Sequence, residues 1–458
     1  MKKARASCQR ENFLTHSLSS VVGGLVPFPS RKSSPHPSSL GLAVLVTALG
    51  LGCGGGSSSI SSSDGGTTPT NPLPVVTSGY VTLYDFGSSN SNGNSPGSIV
   101  QTGDGVWYGS ALSAPELSNT PPGTIFKFVV GQGVTTLHTF TAAGDAVGNF
   151  ILASDGNLYG MGTVGGSGAT CFLSACGSLF KVTAQGVVSD LHDFQDTDGA
   201  YPSTLVQGDD GNIYGITSGG GSHSTSLCAQ TGCGTFFRMT PDGTVSVLYR
   251  FDGTHGWEPI DLVKGNDGTF YGIATFGGAN NNGVFFNITP SGQFTVLHDF
   301  DSSVESPYTA LVPGSDGNFY GTAVDTGESC HQGSCYCFAV CGTIFRITPQ
   351  GAFSAVYNFT DYAQGSGPGT LVQGFDGNLY GTAGGGAADG VLFKVTLQGT
   401  YSIIYNFDRT KGADAPGING LVLGTDGNLY GVSQDGGAPN AARGCPTGCG
   451  VIFGFGLK

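Results

Sequence analysis

Charged residues are scarce in this 458-residue chain, 10% of the whole, and acids outnumber bases, with 31 Asp and Glu against 17 Lys and Arg. The first 53 residues hold six of the basic side chains and one acid, which leaves 11 basic against 30 acidic residues, near −19, in the remainder. Phosphate contacts need basic patches, so nucleic acid and anionic membrane surfaces are poor partners for that remainder. Long apolar runs are missing too. The run from Leu40 to Leu51 has 12 residues, too few to span a bilayer as a helix. Neither a phosphate-binding Gly-x-x-x-x-Gly-Lys loop nor a His-Glu-x-x-His pair occurs. No catalytic constellation, metal set or cofactor is expected.

The short apolar run follows Arg31 and Lys32 and ends at Gly52-Cys53, with Gly54 to Gly56 after it. That is the length of a signal-peptide core. It resembles a bacterial lipoprotein signal, with Gly50 where a leucine is usual, and the resemblance makes Cys53 the lipidated mature N-terminus. Residues 54–79 are dominated by Ser, Gly, Thr and Pro, cannot bury a core and read as a tether. Residues 80–458 are expected to be the folded body.

Repetition organises that body. Asp210-Gly211-Asn212-Ile213-Tyr214-Gly215 has near copies whose tyrosines are Tyr108, Tyr159, Tyr214, Tyr271, Tyr320, Tyr380 and Tyr430, at intervals of 49 to 60 residues. Around each lie four short runs rich in β-branched and aromatic residues, bounded by turn residues. In the third copy they are Pro202 to Gly208, Ile213 to Thr217, Gly234 to Thr240 and Val245 to Phe251. A third-run phenylalanine (Phe126, Phe180, Phe237, Phe286, Phe345, Phe393) stands 14 residues before a fourth-run one (Phe140, Phe194, Phe251, Phe300, Phe359, Phe407) in all six complete cases. The last unit stops after its third run, and an orphan fourth run, Tyr80 to Phe86, precedes the first. The expected fold is all-β: a seven-bladed propeller of four-stranded blades, closed by strand 80–86 completing the last blade, which leaves no open sheet edge.

Both halves of the repeat, Gly-x-Asp-Gly-Asn-Leu-Tyr-Gly-Thr and Gly-Thr-Ile-Phe-Lys-x-Thr-Pro-x-Gly, resemble the GloVer tandem-repeat surface proteins of bacteria over about Tyr80 to Lys458. The resemblance implies a surface address by one of several anchors and no particular activity. Asp-Gly-Asn-Leu-Tyr is also similar to the Asp-Gly-Asn-Leu-Trp of virginiamycin B lyase propellers, although none of that family's active-site residues can be matched here.

Function is sought on the face where spacing varies. From motif tyrosine to third-run phenylalanine the distance is 13 to 25 residues, so the loops between second and third strands, with the blade-to-blade loops, vary on a fixed support. Ten cysteines fall there: Cys171, Cys176, Cys228, Cys233, Cys330, Cys335, Cys337, Cys341, Cys445 and Cys449. Their close spacing in an exported chain predicts five local disulfides. Within the group of four, analogy with the other blades pairs Cys330 with Cys335 and Cys337 with Cys341; zinc is the alternative, at spacings unusual for it. His138, His192 and His298 occupy the place of Tyr84, Tyr249, Tyr357 and Tyr405 and read as strand residues. His255, Trp257, Glu258 and His331 are the candidate ligand-loop residues. The expectation is a monomeric, extracytoplasmic, envelope-anchored binding or scaffold module for a glycan or envelope protein, touching membrane only through its lipid. The alternatives are an exported lyase or glycosidase and a passive spacer.

Overall fold

The computed structural model describes residues 76–88, 95–111, 123–140, 147–163, 171, 175–223, 228–301, 310–323, 328–331, 334–337, 342–385, 390–407, 418–434, 436–439 and 448–457. The expected signal segment, Cys53 and most of the expected tether lie outside them. Among the described residues the chain is already packed at Val76, which is buried and accepts a hydrogen bond from Asn428 Nδ2 on its carbonyl at 2.9 Å, four residues before the expected start at Tyr80.

Seven four-stranded antiparallel sheets follow one another as blades, six of them in chain order from first strand to fourth. Blade 3 consists of Ala200–Gln207, Ile213–Gly219, Thr235–Met239 and Val245–Arg250; blade 4 of Trp257–Lys264, Phe270–Phe276, Val284–Ile288 and Phe294–Asp299. Blade 7 is the composite one. Its first three strands are Ile418–Leu423, Leu429–Ser433 and Val451–Gly456, and its fourth is Gly79–Asp85, paired antiparallel with Val451–Gly456 from Gly79 opposite Gly456 to Asp85 opposite Val451. This is the closure expected from the orphan run.

The repeated letters have packing reasons. The glycine after each motif tyrosine lies under the phenylalanine of the neighbouring third strand: a Cβ on Gly215 would sit 2.4 Å from Phe237 Cζ, and one on Gly431 2.6 Å from Phe453 Cζ. Only a residue without a side chain leaves room for that ring. The 14-residue spacing also has a cause. In every blade the backbone N–H of the fourth-strand phenylalanine donates to the carbonyl of the glycine preceding the third strand, as in Phe251 to Gly234 at 3.1 Å and Phe86 to Gly450 at 3.1 Å. An inserted residue would break that bond and turn the buried face outward.

The Asp-Gly-Asn segment is a turn, as expected. Asp210 accepts on one oxygen from the Asn212 backbone N–H (3.1 Å) and on the other from Asn212 Nδ2 (2.7 Å) and Tyr214 Oη (2.9 Å). The same tyrosine-to-aspartate bond, at 2.8 to 2.9 Å, recurs at Tyr159, Tyr271, Tyr320, Tyr380 and Tyr430. Burial works to raise the Asp210 pKa, and the bonds from Asn212 and Tyr214 outweigh it, so the carboxyl ends below its usual range. Neighbouring turns are tied by glutamine: Gln207 of blade 3 accepts from Ser154 N–H of blade 2 (2.8 Å), and Gln101 of blade 1 from Thr425 N–H of blade 7 (2.8 Å). Apolar clusters fill the blade interfaces, such as Ile216, Phe236 and Phe251 of blade 3 with Phe270, Val284 and Phe286 of blade 4. No helix among the described residues is long and apolar enough to cross a membrane.

Candidate functional site

Strand direction puts the Asp-Gly-Asn turns on one face and the second-to-third and blade-to-blade loops on the other. On the loop face Cys171 is bonded to Cys176 and Cys228 to Cys233, and Cys449 is also in a disulfide. In blade 5 the second-to-third loop carries an extra hairpin, Glu328–His331 with Ser334–Cys337, whose backbone register sets Cys330 opposite Cys335 and His331 opposite Ser334. Cys341 and Cys445 lie outside the described residues.

Of the candidate ligand residues, His255, Trp257 and Glu258 do not converge. His255 turns to Asp252: its Nδ1 is 2.7 Å from Asp252 Oδ2, and the N–H groups of Thr254 and His255 both donate to Asp252 Oδ1 at 2.9 Å. Burial works to raise the Asp252 pKa, but the His255 bonds and charge, with Thr254 N–H, hold the carboxyl below its usual range. Trp257 stacks on Phe276 at 4.5 Å, and its buried indole Nε1 has no hydrogen-bond partner. Glu258 stands at the entry of the first strand of blade 4 with φ of 55°, its N–H donating to Cys233 O at 3.2 Å. Burial pushes its carboxyl up to about 7. His331 belongs to the blade 5 hairpin. No hydrogen bond, ion pair or ring contact joins His255, Trp257 and Glu258 to one another.

What does form around His255 is a groove between the outer edges of blades 3 and 4, of about 390 Å³, lined by Tyr249, Asp252, His255, Gly292, Gln293, Phe294 and Val296. Tyr249 and Phe294 lie face to face at 4.5 Å and 6°. Burial, and then the Asp252 charge, push the Tyr249 phenol up to about 12, so it stays a neutral donor. An aromatic wall beside a carboxylate, an imidazole and a carboxamide suits a neutral polyhydroxylated ligand. Sequence reasoning found His255 and missed its partners, because Tyr249 and Phe294 come from different repeats and meet only across the blade interface.

Two further polar sites stand apart from the groove. His223 Nε2 is 2.9 Å from Asp196 Oδ2 and its Nδ1 is 3.0 Å from Ala229 O. Both partners accept, so both bonds form together only on the doubly protonated ring, which then clips the disulfide loop of blade 3 to the loop entering that blade. Asp261, buried on the first strand of blade 4, accepts from Leu311 N–H of blade 5 at 2.6 Å; burial raises its carboxyl to about 6 despite that bond. Among the described residues no three His, Cys, Asp or Glu side chains are grouped to hold a metal. The letters Gly93-Asn94-Ser95-Pro96-Gly97 match a hydrolase nucleophile elbow, which needs a strand-to-helix turn. Ser95 instead enters the first strand of blade 1, Pro96–Gln101, with its N–H on Cys449 O at 2.8 Å.

Comparison with known proteins gives a family and a fold. The model of the Gloeobacter/Verrucomicrobia repeat matches residues 55–228 and 223–443. No curated protein sequence matches the chain. Among solved structures, a streptogramin B lyase is similar at 15% identity and a TM-score of 0.54, covering 82% of this chain and 96% of its own. A catalytically inactive virginiamycin B lyase from Staphylococcus aureus, solved with quinupristin, is similar at 16% identity and a TM-score of 0.56, over 83% of this chain and 99% of its own. At such identities the likeness is one of fold.

Proposed function

We propose, from the premise that the chain belongs to the Gloeobacter/Verrucomicrobia repeat family, that it is an exported, envelope-anchored propeller that binds a neutral glycan in the groove between blades 3 and 4. The observation that carries this reading is the groove itself: about 390 Å³ and open to solvent, lined by Tyr249 and Phe294, with Asp252, His255 and Gln293 as hydrogen-bonding groups along it. Sugars are held by aromatic surface and a few fixed polar groups, and Asp252 is fixed by three bonds of its own. The disulfides of the loop face suit an oxidising, extracytoplasmic compartment. Cys53, after its short apolar run, is the proposed lipid anchor. A lyase or glycosidase reading draws on one observation, the Glu258 carboxyl held near neutrality. It ranks second because burial alone accounts for that shift.

The test is a glycan array probed with the mature chain, followed by titration of any hit. Asp252→Asn, which keeps an oxygen for the Thr254 and His255 N–H groups, and Gln293→Ala should each weaken binding by about tenfold or more with the unfolding temperature nearly unchanged. Binding that survives both changes would place the glycan elsewhere. An array without hits would remove the reading altogether.

A further inference from the structure

Four of the seven blades carry a cysteine directly before the glycine that leads into the third strand: Cys176-Gly177, Cys233-Gly234, Cys341-Gly342 and Cys449-Gly450. The blades that follow them round the ring, and only those, carry a proline three residues before the core residue of the first strand (Leu205, Leu262, Leu371 and Ile99): Pro202, Pro259, Pro368 and Pro96. Where the cysteine is absent, before Gly123, Gly283 and Gly390, the next blade has Val147, Tyr308 and Ile418 at that place. Two features of different repeats thus occur together or not at all.

The geometry explains the pairing. Each glycine meets the proline of the next blade so closely that a Cβ would lie 2.5 Å (Gly177 to Pro202), 2.7 Å (Gly234 to Pro259), 2.4 Å (Gly342 to Pro368) or 2.5 Å (Gly450 to Pro96) from the proline Cδ. The residue before the proline has positive φ in all four joints: Tyr201 58°, Glu258 55°, Gly367 53° and Ser95 48°. For Tyr, Glu and Ser that conformation is unfavourable, and before proline the backbone is restricted further. It turns the N–H back onto the preceding blade. Tyr201 N–H donates to Cys176 O at 2.8 Å, Glu258 N–H to Cys233 O at 3.2 Å, and Ser95 N–H to Cys449 O at 2.8 Å. The acceptor in each is the carbonyl of a disulfide-bonded cysteine.

We infer that each Cys-Gly and X-Pro pair is a redox-controlled joint between successive blades, in which the small disulfide ring aims the cysteine carbonyl at a strained N–H of the next blade. The ring closes joints 2 to 3 and 3 to 4, a disulfide-bonded Cys449 stands at joint 7 to 1, and the same residues mark joint 5 to 6. Joints 1 to 2, 4 to 5 and 6 to 7 lack it. A dithiol reductant such as dithiothreitol delivers two electrons and two protons to each bond, giving two cysteine thiols and the cyclic disulfide of the reductant. With the ring opened, the carbonyl is free to rotate and the strained residue loses its partner. The propeller is thus stiffened unevenly, and only outside a reducing compartment.

Hydrogen exchange of the full chain, resolved to single amides, tests this with and without dithiothreitol. Reduction should speed exchange at Ser95, Tyr201 and Glu258 by about tenfold or more, leaving the first strands of blades 2 and 7 unchanged. The double variant Cys228→Ser, Cys233→Ser, without reductant, should reproduce the effect at Glu258 and spare Tyr201. Unaltered exchange at all three residues, or equal acceleration in every blade, would overturn the joint.

Discussion

Tyr80, in the strand that opens the described fold, lies face to face with Tyr405 of blade 6, ring centres 5.0 Å apart and planes within 5°. Its ring also packs on Phe453, from the end of the chain, at 5.5 Å. One aromatic side chain therefore seals the ring against two blades, while its backbone completes the sheet of the last. Deleting residues 80–86 should expose the edge of Val451–Gly456 and open the blade 6 to blade 7 interface. The expected result is a fall of at least about 5 °C in the unfolding midpoint, with concentration-dependent aggregation, read by calorimetry and light scattering. An unchanged midpoint would mean that the strand only decorates an already closed ring.

The glycine beneath the third-strand ring gives a second prediction. Gly215→Ala would place a methyl carbon 2.4 Å from Phe237 Cζ and 2.8 Å from Thr204 O, so ring or backbone must move. Overpacking of this kind costs about 1 to 3 kcal/mol. Urea titration of Gly215→Ala, beside Gly211→Ala in the Asp-Gly-Asn turn, separates two causes. Gly211 has open space around its Cβ position but φ of 81°, so its penalty is one of backbone conformation and not of contact.

That contrast also shows what could be read from the letters alone. Blade number, strand order and the closing strand were legible, because each blade repeats the same core demands: glycine under phenylalanine, tyrosine on aspartate, phenylalanine N–H on glycine carbonyl. The aromatic role of His298 was legible for the same reason; it stacks on Phe353 at 5.5 Å and 15°, as Tyr249 does on Phe294. The groove was not. Its walls are residues of ordinary strand type contributed by blades 3 and 4, and Asp252, His255 and Gln293 reach it from two separate loops. Proximity in sequence also misled: His255, Trp257 and Glu258 are near neighbours in the chain, yet one faces Asp252, one Phe276, and one enters a blade joint.

The third prediction concerns the turn. Tyr214→Phe removes one hydrogen bond to Asp210 and should cost about 1 kcal/mol, whereas Asp210→Ala removes the acceptor for Tyr214 Oη, Asn212 Nδ2 and Asn212 N–H and should cost about 2 kcal/mol or more. In the double variant the tyrosine change should add little, because its partner is already gone. Full additivity in a chemical-denaturation cycle would show that the phenol and carboxylate do not interact. The acid limb follows the same bond. Because the Asp210 pKa is depressed in the fold, its stabilisation is present above the unfolded value near 3.8 and is lost as pH falls through the folded one.

Glu258 has the opposite sign. Its carboxyl is raised from 4.5 to about 7 by burial, so the folded state holds a proton that the unfolded chain has released. The contribution is fully present below about pH 4.5 and is lost as pH rises through about 7. Glu258 is half-buried, which limits the effect to about 1 to 2 kcal/mol across that window. Asp261, raised to about 6, slopes the same way, so wild-type stability alone cannot assign the change. Glu258→Gln can: it keeps the shape and the Cys233 joint but cannot ionise. Unfolding free energies measured from pH 5 to pH 8 should show the variant gaining on the wild type as pH rises, to a lead of about 1 to 2 kcal/mol at pH 8. Parallel curves would mean that Glu258 ionises as freely in the fold as in the unfolded chain, and would also withdraw the one observation behind an enzymatic reading.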